Sequence, residues 1–463
     1  MKQLNHFFYP ESIAVIGASP QPDSIGRAIF ENLHTKHCQG NFCSNIFAVN
    51  PNHSSVLGQK SYASVKDIPF RVDLAVIVIP AVAVPRVMKE CIEKKVKAAV
   101  IISAGFSEVG EKKLTAELQK IIDDNPEMLV LGPNCFGIFV AENHLDTTFA
   151  EKRKMKYPKD GNVAFMSQSG AMGVAVLDWM STQQFGLSKF ISYGNAMDVD
   201  EADLLEYLSG DSKTKVISVY LEGVKEGRKF MKIAKSTSKR KPIVVLKGGV
   251  TEETHAATAS HTGSLAGSAQ VYEALFRQTG IVQANDMLEL FVLSKILENA
   301  PLTRGKKVLI ITNGGGYGIA AADQVIRKGL ELANISKENS KKLRKAFPST
   351  VTIGNPLDLV GDADDRRYQI AIESAIKDEN VDMIMVLVLF NTPSIDRNIV
   401  KKIISLRKKC RKPMLVLSIG SRYTNERKTE LEKGGVVTFN YPSGAAIALK
   451  GLYDYSRFRK YAP

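Results

Sequence analysis

Short apolar runs rich in Val and Ile alternate with longer amphipathic stretches throughout the 463 residues of this chain. The alternation predicts parallel β-sheets covered by helices, because strands that are buried on both faces of a sheet are continuously apolar. In the first third of the chain the pattern predicts strands at residues 12–17, 45–51, 73–80, 98–105 and 128–134. The expected fold class is therefore α/β with parallel sheets.

Two polar interruptions divide the chain into three segments of the same general design. A lysine-rich stretch covers residues 150–161, and a break that contains proline and glycine covers residues 299–307. We therefore predict three domains, at residues 1–150, 151–300 and 301–463.

The second and third segments resemble each other, which indicates an internal duplication. Three matches occur in the same order: residues 162–180 with 307–325, residues 193–205 with 353–365, and residues 241–249 with 412–420. A loop that contains His261 follows the last match in the second segment and has no counterpart in the third. This addition to one copy indicates a function.

The charge of the chain favours small anionic ligands over nucleic acid. The formal net charge is +14, but the lysines are scattered over predicted helix surfaces and form no basic stripe with interleaved aromatic residues. The longest apolar runs, residues 74–84 and 383–390, are shorter than the ~18 residues of a membrane span. Five cysteines without a CxxC pair argue against a disulfide framework. The cluster of His34, His37, Cys38 and Cys43 resembles a zinc site, but its spacing matches none of the familiar zinc patterns, which favours a helix end and a turn. With no signal-peptide core at the N-terminus, we expect a cytoplasmic protein that binds neither nucleic acid nor membrane and has no metal site.

The sequence VIGASPQPDSIG places Gly17 at the end of a predicted strand and Gly26 at the start of a predicted helix. Glycines there allow a phosphate to approach the backbone, and the helix N-terminus attracts the anion. The spacing differs from the GxGxxG of dinucleotide-binding proteins, and the second strand ends in Asn50 and Pro51 rather than in a carboxylate. NAD is therefore disfavoured and coenzyme A is a candidate ligand; the alternative is a turn with a purely structural role.

The sequence ATASHTGSLAG, residues 257–267, places His261 in a run of small residues shortly after a predicted strand. Glu222 follows the strand predicted at residues 216–223, so both residues belong to the sheet edge where α/β proteins bind ligands. A carboxylate near an imidazole fixes its tautomer and makes the free nitrogen more nucleophilic. The pair is a candidate nucleophile with its supporting group; the alternative is a polar surface loop with an incidental histidine.

The sequences SQSGAMG (167–173) and NGGGYGI (313–319) each follow a predicted strand and open a predicted helix. Each offers backbone amides at a positive helix end, and the two together could hold one phosphate from both sides. A histidine that accepts a phosphoryl group between two such helix ends is chemically coherent.

Together these motifs resemble, in order, those of the alpha subunits of the ADP-forming acyl-CoA synthetases, the acetate–CoA ligases related to succinyl-CoA synthetase. The resemblance covers essentially the whole chain and also includes GPNCFGI (132–138), YLEG (220–223) and GNPLDL (354–359). It implies a Rossmann-like CoA-binding domain followed by two flavodoxin-like ligase domains. It also implies a reversible reaction in which acyl-CoA, ADP and phosphate give acid, ATP and CoA. By the same resemblance, phosphate converts the thioester to an acyl phosphate, and His261, supported by Glu222, carries the phosphoryl group to ADP.

Candidate contacts follow from the position of each residue in these motifs. For CoA they are Gly17, Ala18, Ser19, Pro20, Ile25, Gly26, Asn50, Pro80, Ser103, Ala104, Gly105 and Asn134. For phosphate they are Ser167, Gln168, Ser169, Gly170, Asn313, Gly314, Gly315 and Gly316.

The nucleotide site is expected on another subunit. The sequence contains no GxxxxGK(S/T) motif and no further domain with carboxylates for Mg²⁺; in related enzymes an ATP-grasp domain supplies that site. We therefore expect ADP or ATP with Mg²⁺ on an ATP-grasp beta subunit, in an α2β2 heterotetramer that acts on a small carboxylic acid or its acyl-CoA. The alternative function is a catalytically silent CoA-binding regulatory or sensor protein, which would need neither Glu222 nor His261.

Overall fold

The computed structural model describes residues 2–38, 44–151, 153–182, 186–250 and 269–461. It consists of two units, Met1–Gln283 and Ala284–Pro463, which we describe separately.

A sheet of mostly parallel strands forms the first part of the first unit. Its strands are β1 (Ser12–Ile16), β2 (Asn45–Val49), β3 (Ser55–Val56), β4 (Gln59–Tyr62), β5 (Leu74–Ile77), β6 (Ala98–Ile101) and β7 (Leu129–Leu131). Its helices are α1 (Asn5–Phe8), α2 (Ile25–Cys38), α3 (Val84–Glu93) and α4 (Lys112–Asp123), with 3₁₀ turns at Val65–Asp67, Ala81–Ala83 and Ser107–Val109. The order is β3-β4-β2-β1-β5-β6-β7, and only β3 runs antiparallel to its neighbour. Without β3 this is the strand order of the Rossmann fold, whose ligands bind where the order reverses, here between β1 and β5.

A second sheet completes the first unit. Its strands are β8 (Ile138–Val140), β9 (Leu145–Asp146), β10 (Asp160–Ser167), β11 (Leu187–Ser192), β12 (Val216–Leu221), β13 (Ile243–Lys247) and β14 (Val282–Ala284). Its helices are α5 (Gly170–Ser181), α6 (Glu201–Gly210), α7 (Gly227–Ser238) and α8 (Ala269–Thr279). The order is β14-β13-β12-β10-β11-β8-β9, in which β8 runs antiparallel to both β11 and β9. The part β11-β10-β12-β13-β14 has the 2-1-3-4-5 order of flavodoxin-like folds.

The second unit contains a sheet of parallel strands with the same order as that part. Its strands are β15 (Lys307–Thr312), β16 (Glu331–Leu332), β17 (Leu357–Asp358), β18 (Met383–Leu387), β19 (Met414–Leu417) and β20 (Val437–Phe439). Its helices are α9 (Met287–Asn299), α10 (Gly315–Arg327), α11 (Lys337–Ala346), α12 (Asp365–Lys377), α13 (Asn398–Lys409), α14 (Arg422–Lys433) and α15 (Pro442–Tyr461). The order β16-β15-β18-β19-β20 repeats that of the second sheet, while β17 lies off this path and pairs with β15. This repetition agrees with the internal duplication inferred from the sequence.

Apolar packing explains why two sheets belong to one unit. One buried cluster contains Val15 and Leu74 of the first sheet together with Ile191 and Val219 of the second. The central strands are apolar on both faces because helices cover both sides, as in β1, whose five residues are all buried.

The predicted fold class is confirmed: a Rossmann-like sheet is followed by two flavodoxin-like parallel sheets. The three-domain boundaries stay a prediction. β8 and β9, which precede residue 150, belong to the second sheet, and α9, which precedes residue 300, belongs to the second unit. Among the described residues, the helices are all too short or too polar to cross a membrane.

Candidate functional site

A cleft of about 740 Å³ lies within the first unit, at the carboxyl ends of β1, β5 and β6 and the first turn of α5. The described residues that line it are Gly17, Ser24, Ile25, Gly26, Val78, Ile79, Pro80, Ile102, Ser103, Ala104, Asn134, Cys135, Phe136, Phe149, Gln168, Ser169, Gly170, Ala171, Val174 and Asn195. The cleft therefore joins the predicted CoA loops of the first sheet to the first predicted phosphate turn of the second.

The structure brings seven of the twelve predicted CoA contacts to this cleft: Gly17, Ile25, Gly26, Pro80, Ser103, Ala104 and Asn134. The other five, Ala18, Ser19, Pro20, Asn50 and Gly105, are neighbours of the lining rather than part of it. Four of them take part in local hydrogen bonds that shape the first loop; the Ser19 hydroxyl accepts the amide of Gln21 at 3.1 Å. The side-chain amide of Asn50 donates to the Ala18 carbonyl at 2.7 Å, and Arg27 donates to the Pro20 carbonyl at 2.7 Å. Their contact with CoA stays a prediction.

Gly17 and Gly26 are required by backbone packing. Gly17 has a φ of +97°, and a Cβ there would lie 2.2 Å from the carbonyl oxygen of Val78. A Cβ on Gly26 would lie 2.0 Å from the carbonyl oxygen of Gly17. The alternative considered for this motif, a structural turn, therefore accounts for both glycines without a ligand. Their position in the cleft is compatible with a phosphate as well, but larger residues there would disturb the fold before they tested binding.

Glu108 is a residue of this region that the sequence did not reveal. Its carboxylate accepts the amide of Gly105 at 2.6 Å and, with its other oxygen, the side-chain amide of Asn195 at 2.6 Å. Burial opposes the charge on Glu108, but these hydrogen bonds hold the pKa of its carboxyl below the usual range. Glu108 thereby fixes the Gly105 loop of the first sheet to the loop after β11.

The first predicted phosphate turn lies at the N-terminus of α5. Ser169 is the N-cap, and its hydroxyl accepts the amide of Met172 at 3.4 Å. The first amides of a helix, here those of Gly170 and Ala171, have no partner within the helix, and they attract anions. The hydroxyl of Ser167 donates to the Ser169 carbonyl at 2.6 Å and shapes the turn, while Ser167 itself is fully buried and outside the cleft.

Gln168 connects this turn to the segment that carries Glu222. Its side-chain oxygen accepts the backbone amides of Glu222 at 2.8 Å and Gly223 at 3.1 Å. These residues follow β10 and β12, between which the strand order of the second sheet reverses, so the contact lies where flavodoxin-like folds bind ligands. Because this oxygen already accepts two amides, the group that Gln168 can offer to a phosphate is its side-chain NH₂.

Glu222 is 5% exposed and is held by neighbouring strands. The ammonium of Lys247 donates to the Glu222 carbonyl at 2.8 Å and lies 4.7 Å from the centre of the Tyr272 ring. Burial lowers the pKa of Lys247, and the nearby Glu222 charge opposes that shift. Burial, followed by the Glu222 charge and its hydrogen bond, raises the pKa of Tyr220 to about 12. Tyr220 is therefore a neutral hydroxyl that orients the Glu222 side chain.

The second predicted phosphate turn, in the second unit, repeats the Gln168 arrangement. The side-chain oxygen of Asn313 accepts the amide of Leu389 after β18 at 2.9 Å. The amide of Gly314 donates to the Thr312 hydroxyl at 2.9 Å, and Gly315 and Gly316 then begin α10. A Cβ on Gly315 would lie 2.5 Å from a carboxylate oxygen of Asp358. This carboxylate occupies part of the helix end and would compete with a phosphate there.

His261 lies outside the described residues, and so its predicted pairing with Glu222 stays a prediction. Within the described ranges, no three His, Cys, Asp or Glu side chains are placed to hold a metal ion.

The cleft also has an apolar wall that sequence reasoning missed. Phe136 and Phe149 meet edge to face, with ring centres 4.5 Å apart, and α5 adds Ala171 and Val174. Phe136 belongs to the motif GPNCFGI, which could have indicated it, whereas Phe149 belongs to no motif and has only its position after β9. Cys135 in the same motif is buried, and burial raises the pKa of its thiol to about 12, so it is a poor nucleophile.

Three family models match successive parts of the chain. A CoA binding domain matches residues 11–141, a succinyl-CoA ligase like flavodoxin domain matches residues 160–297, and a Ligase-CoA domain matches residues 308–462.

The chain is similar over nearly its whole length to named proteins. It is 39% identical over 461 residues to the acetate–CoA ligase (ADP-forming) II subunit alpha of Pyrococcus furiosus, with 98% of each chain covered. It is 40% identical over 456 residues to the acetate–CoA ligase (ADP-forming) I of Archaeoglobus fulgidus, of which it spans 64% while 98% of this chain is covered. Among solved structures, the dinucleotide-forming acetyl-coenzyme A synthetase 1 of Candidatus Korarchaeum cryptofilum, in complex with phosphate and ADP, is 36% identical with a TM-score of 0.91. That match covers 100% of this chain and 98% of the other.

Proposed function

We propose that this chain supplies the CoA site and the phosphoryl carrier of an acid–thiol ligase. The chain belongs to the ADP-forming acetate–CoA ligase family and matches its alpha subunits over nearly their whole length. The overall reaction is acyl-CoA plus ADP plus phosphate to acid plus ATP plus CoA, in either direction. The relatives are named acetate–CoA ligases, so the family belongs to the enzyme class of ligases.

One observation carries this proposal: a single cleft contains both the predicted CoA loops and a helix N-terminus suited to phosphate. A thioester and a phosphate must meet within ~3–3.5 Å for the first bond to form. The loops after β1, β5 and β6 and the first turn of α5 line the same space, which is the arrangement this step requires. The family model for a CoA binding domain over residues 11–141 supports the assignment of those loops.

The chemistry follows from what the chain offers at this place. The amides of Gly170 and Ala171 hold the phosphate, one oxygen of which attacks the thioester carbonyl; the C–S bond breaks and CoA leaves as the thiol after taking up a proton. A nitrogen of His261 then attacks phosphorus in the acyl phosphate, and the P–O bond to the acid breaks. An ADP oxygen finally takes the phosphoryl group as the P–N bond breaks. Glu222 supports the imidazole, and its own backbone is fixed by Gln168.

ADP with Mg²⁺ is proposed to bind to an ATP-grasp beta subunit in an α2β2 assembly. Two observations support a second polypeptide or segment. The Pyrococcus relatives, which match this chain over 98% of their own length, are named alpha subunits. The Archaeoglobus relative, of which this chain spans 64%, is not named as a subunit. We expect the chain alone to synthesise no ATP from acyl-CoA, ADP and phosphate, and addition of the partner to restore synthesis.

The decisive experiment is phosphorylation of the chain by labelled acyl phosphate. We expect acid-labile, base-stable label on wild-type protein and none on the His261→Ala variant. His255→Ala, in the same stretch of sequence, is the matched control and should be labelled normally. Glu222→Gln should slow labelling and leave CoA affinity, measured by calorimetry, nearly unchanged. Acid-labile label on His261→Ala at the wild-type rate would show that another residue is the carrier.

A further inference from the structure

The wall of the cleft beside the phosphate turn consists of apolar side chains. Phe136 packs against α5: a Cβ on Gly170 would lie 3.5 Å from the Cβ of Phe136. Phe149 packs edge to face on Phe136, and Ala171 and Val174 lie on the same face of α5, three residues apart. These four side chains form one surface, which we call the aromatic wall.

The position of the aromatic wall determines what it can contact. If the phosphate is held by the first amides of α5, the thioester carbonyl that it attacks lies within ~3–3.5 Å of it. The acyl substituent on that carbonyl therefore lies within a few ångströms of the first turn of α5. The aromatic wall is the apolar surface on the α5 side of the cleft; Val78, Ile79 and Ile102 line the cleft from the first sheet.

The two phenylalanines differ in how freely each could vary. Phe136 is 2% exposed and also packs on Phe190, with ring centres 6.0 Å apart, so it belongs to the core. Phe149 is half-buried.

The backbone on both sides of Phe149 is held independently of its ring. The side-chain amide of Asn32 donates to the carbonyls of Thr148 and Ala150, at 2.9 and 3.2 Å. A smaller residue at position 149 would therefore leave the backbone in place and enlarge the cleft.

We propose that Phe149 sets the maximum size of the acyl group that can lie against the aromatic wall. This inference rests on the proposed function, since it assigns the acyl part of the same site. Phe149 acts by occupying space beside the acyl chain and takes no part in bond making.

The test compares kcat/KM for acetate, propionate, butyrate and isobutyrate in the complete enzyme with its partner subunit. One methylene in an apolar pocket changes selectivity by about 10–200-fold. We expect Phe149→Ala to raise the butyrate-to-acetate ratio at least about tenfold. Val174→Phe, which fills the same space, should lower that ratio. Phe70→Ala, the same type of substitution at a side chain that is 62% exposed and outside the cleft, should leave the ratio unchanged.

The outcomes separate this inference from the proposed function. A wild-type complex that is active on acetate, together with Phe149→Ala and Val174→Phe variants whose acid profiles are unchanged, would overturn the role of Phe149 alone. A wild-type complex that forms no acyl-CoA from any acid, or normal labelling of His261→Ala, would instead overturn the proposed function.

Discussion

Replacement of Gln168 by leucine should destabilise the turn that carries Glu222. The side-chain oxygen of Gln168 accepts the amides of Glu222 and Gly223 at 2.8 and 3.1 Å, and Gln168 is only 7% exposed. Leucine has a similar volume but no acceptor, so both amides would lose their partner in a buried place.

The size of the effect follows from these two amides. Each buried amide without a hydrogen bond costs about 1–3 kcal/mol. If both keep their positions, the free energy of unfolding falls by about 2–6 kcal/mol. If the turn moves so that water reaches the amides, stability falls less, but Glu222 moves with the turn and labelling of His261 slows. A loss must therefore appear in stability, in labelling, or in both.

Urea denaturation of the purified chain measures the first quantity, and labelling by acyl phosphate measures the second. Gln168→Glu is the matched control, since it keeps an oxygen at the acceptor position. Its stability should stay close to wild type, while its added negative charge at the N-terminus of α5 weakens phosphate binding. A Gln168→Leu protein within about 0.5 kcal/mol of wild-type stability and labelled at the normal rate would refute the reasoning.

Three further outcomes are expected. Tyr220→Phe removes the hydroxyl that orients Glu222, so it should slow labelling by acyl phosphate while CoA affinity in calorimetry is unchanged; an unaltered rate would contradict this role. Ala104→Phe places a ring in the cleft and should weaken CoA binding at least about tenfold, whereas the small control Ala104→Ser should not; equal affinities would move the CoA site elsewhere. Burial raises the pKa of Glu201 from 4.5 to about 7. The folded chain therefore binds this proton more tightly than the unfolded chain, and stability should fall on the order of 3 kcal/mol as pH rises through that window. Glu201→Gln should remove this slope in urea denaturation at pH 5 and pH 8, and an identical slope would disprove the assignment.

The sequence was informative wherever the determining interactions are local. Apolar runs predicted strands such as β1 and β15 because burial on both faces of a parallel sheet leaves a continuous pattern. Turns such as the one at Gly170 were predicted because a strand, a small-residue turn and a helix follow one another directly in the chain. The position of Glu222 at the carboxyl edge of the sheet could also be predicted, because the direction of the preceding strand alone determines that position.

What the sequence could not predict depends on residues that are distant in the chain. The spacing of Gly17 and Gly26 suggested a phosphate loop, but only the structure shows that the Val78 carbonyl requires a glycine at one of them. Phe149 follows no periodic pattern, and its place in the cleft depends on β8 and β9 pairing beside β11. The Glu108 carboxylate accepts a hydrogen bond from the side-chain amide of Asn195, which is 87 residues away in the sequence. Local sequence patterns carry no information about a contact at that separation.

The pairing of β8 with β11, and of β9 with β8, has a consequence for how the chain can be cut. The family model for the flavodoxin domain begins at residue 160, after both strands, although they cover one edge of the sheet that this domain contains.

A fragment trimmed to that family boundary would leave β11 with a bare row of peptide groups. Exposed edges of this kind recruit strands from other molecules. In size-exclusion chromatography, residues 160–284 expressed alone should therefore self-associate more strongly than the same fragment extended back to residue 136. Both fragments lack the first sheet and expose the apolar face that packs on it, so the difference between them reports on the strand edge. β8 lies within the match of the CoA binding domain, and β9 lies between the two family matches, yet both strands protect an edge of the flavodoxin-like sheet. The part of the chain that this sheet needs in order to fold is thus longer than the part its family model recognises.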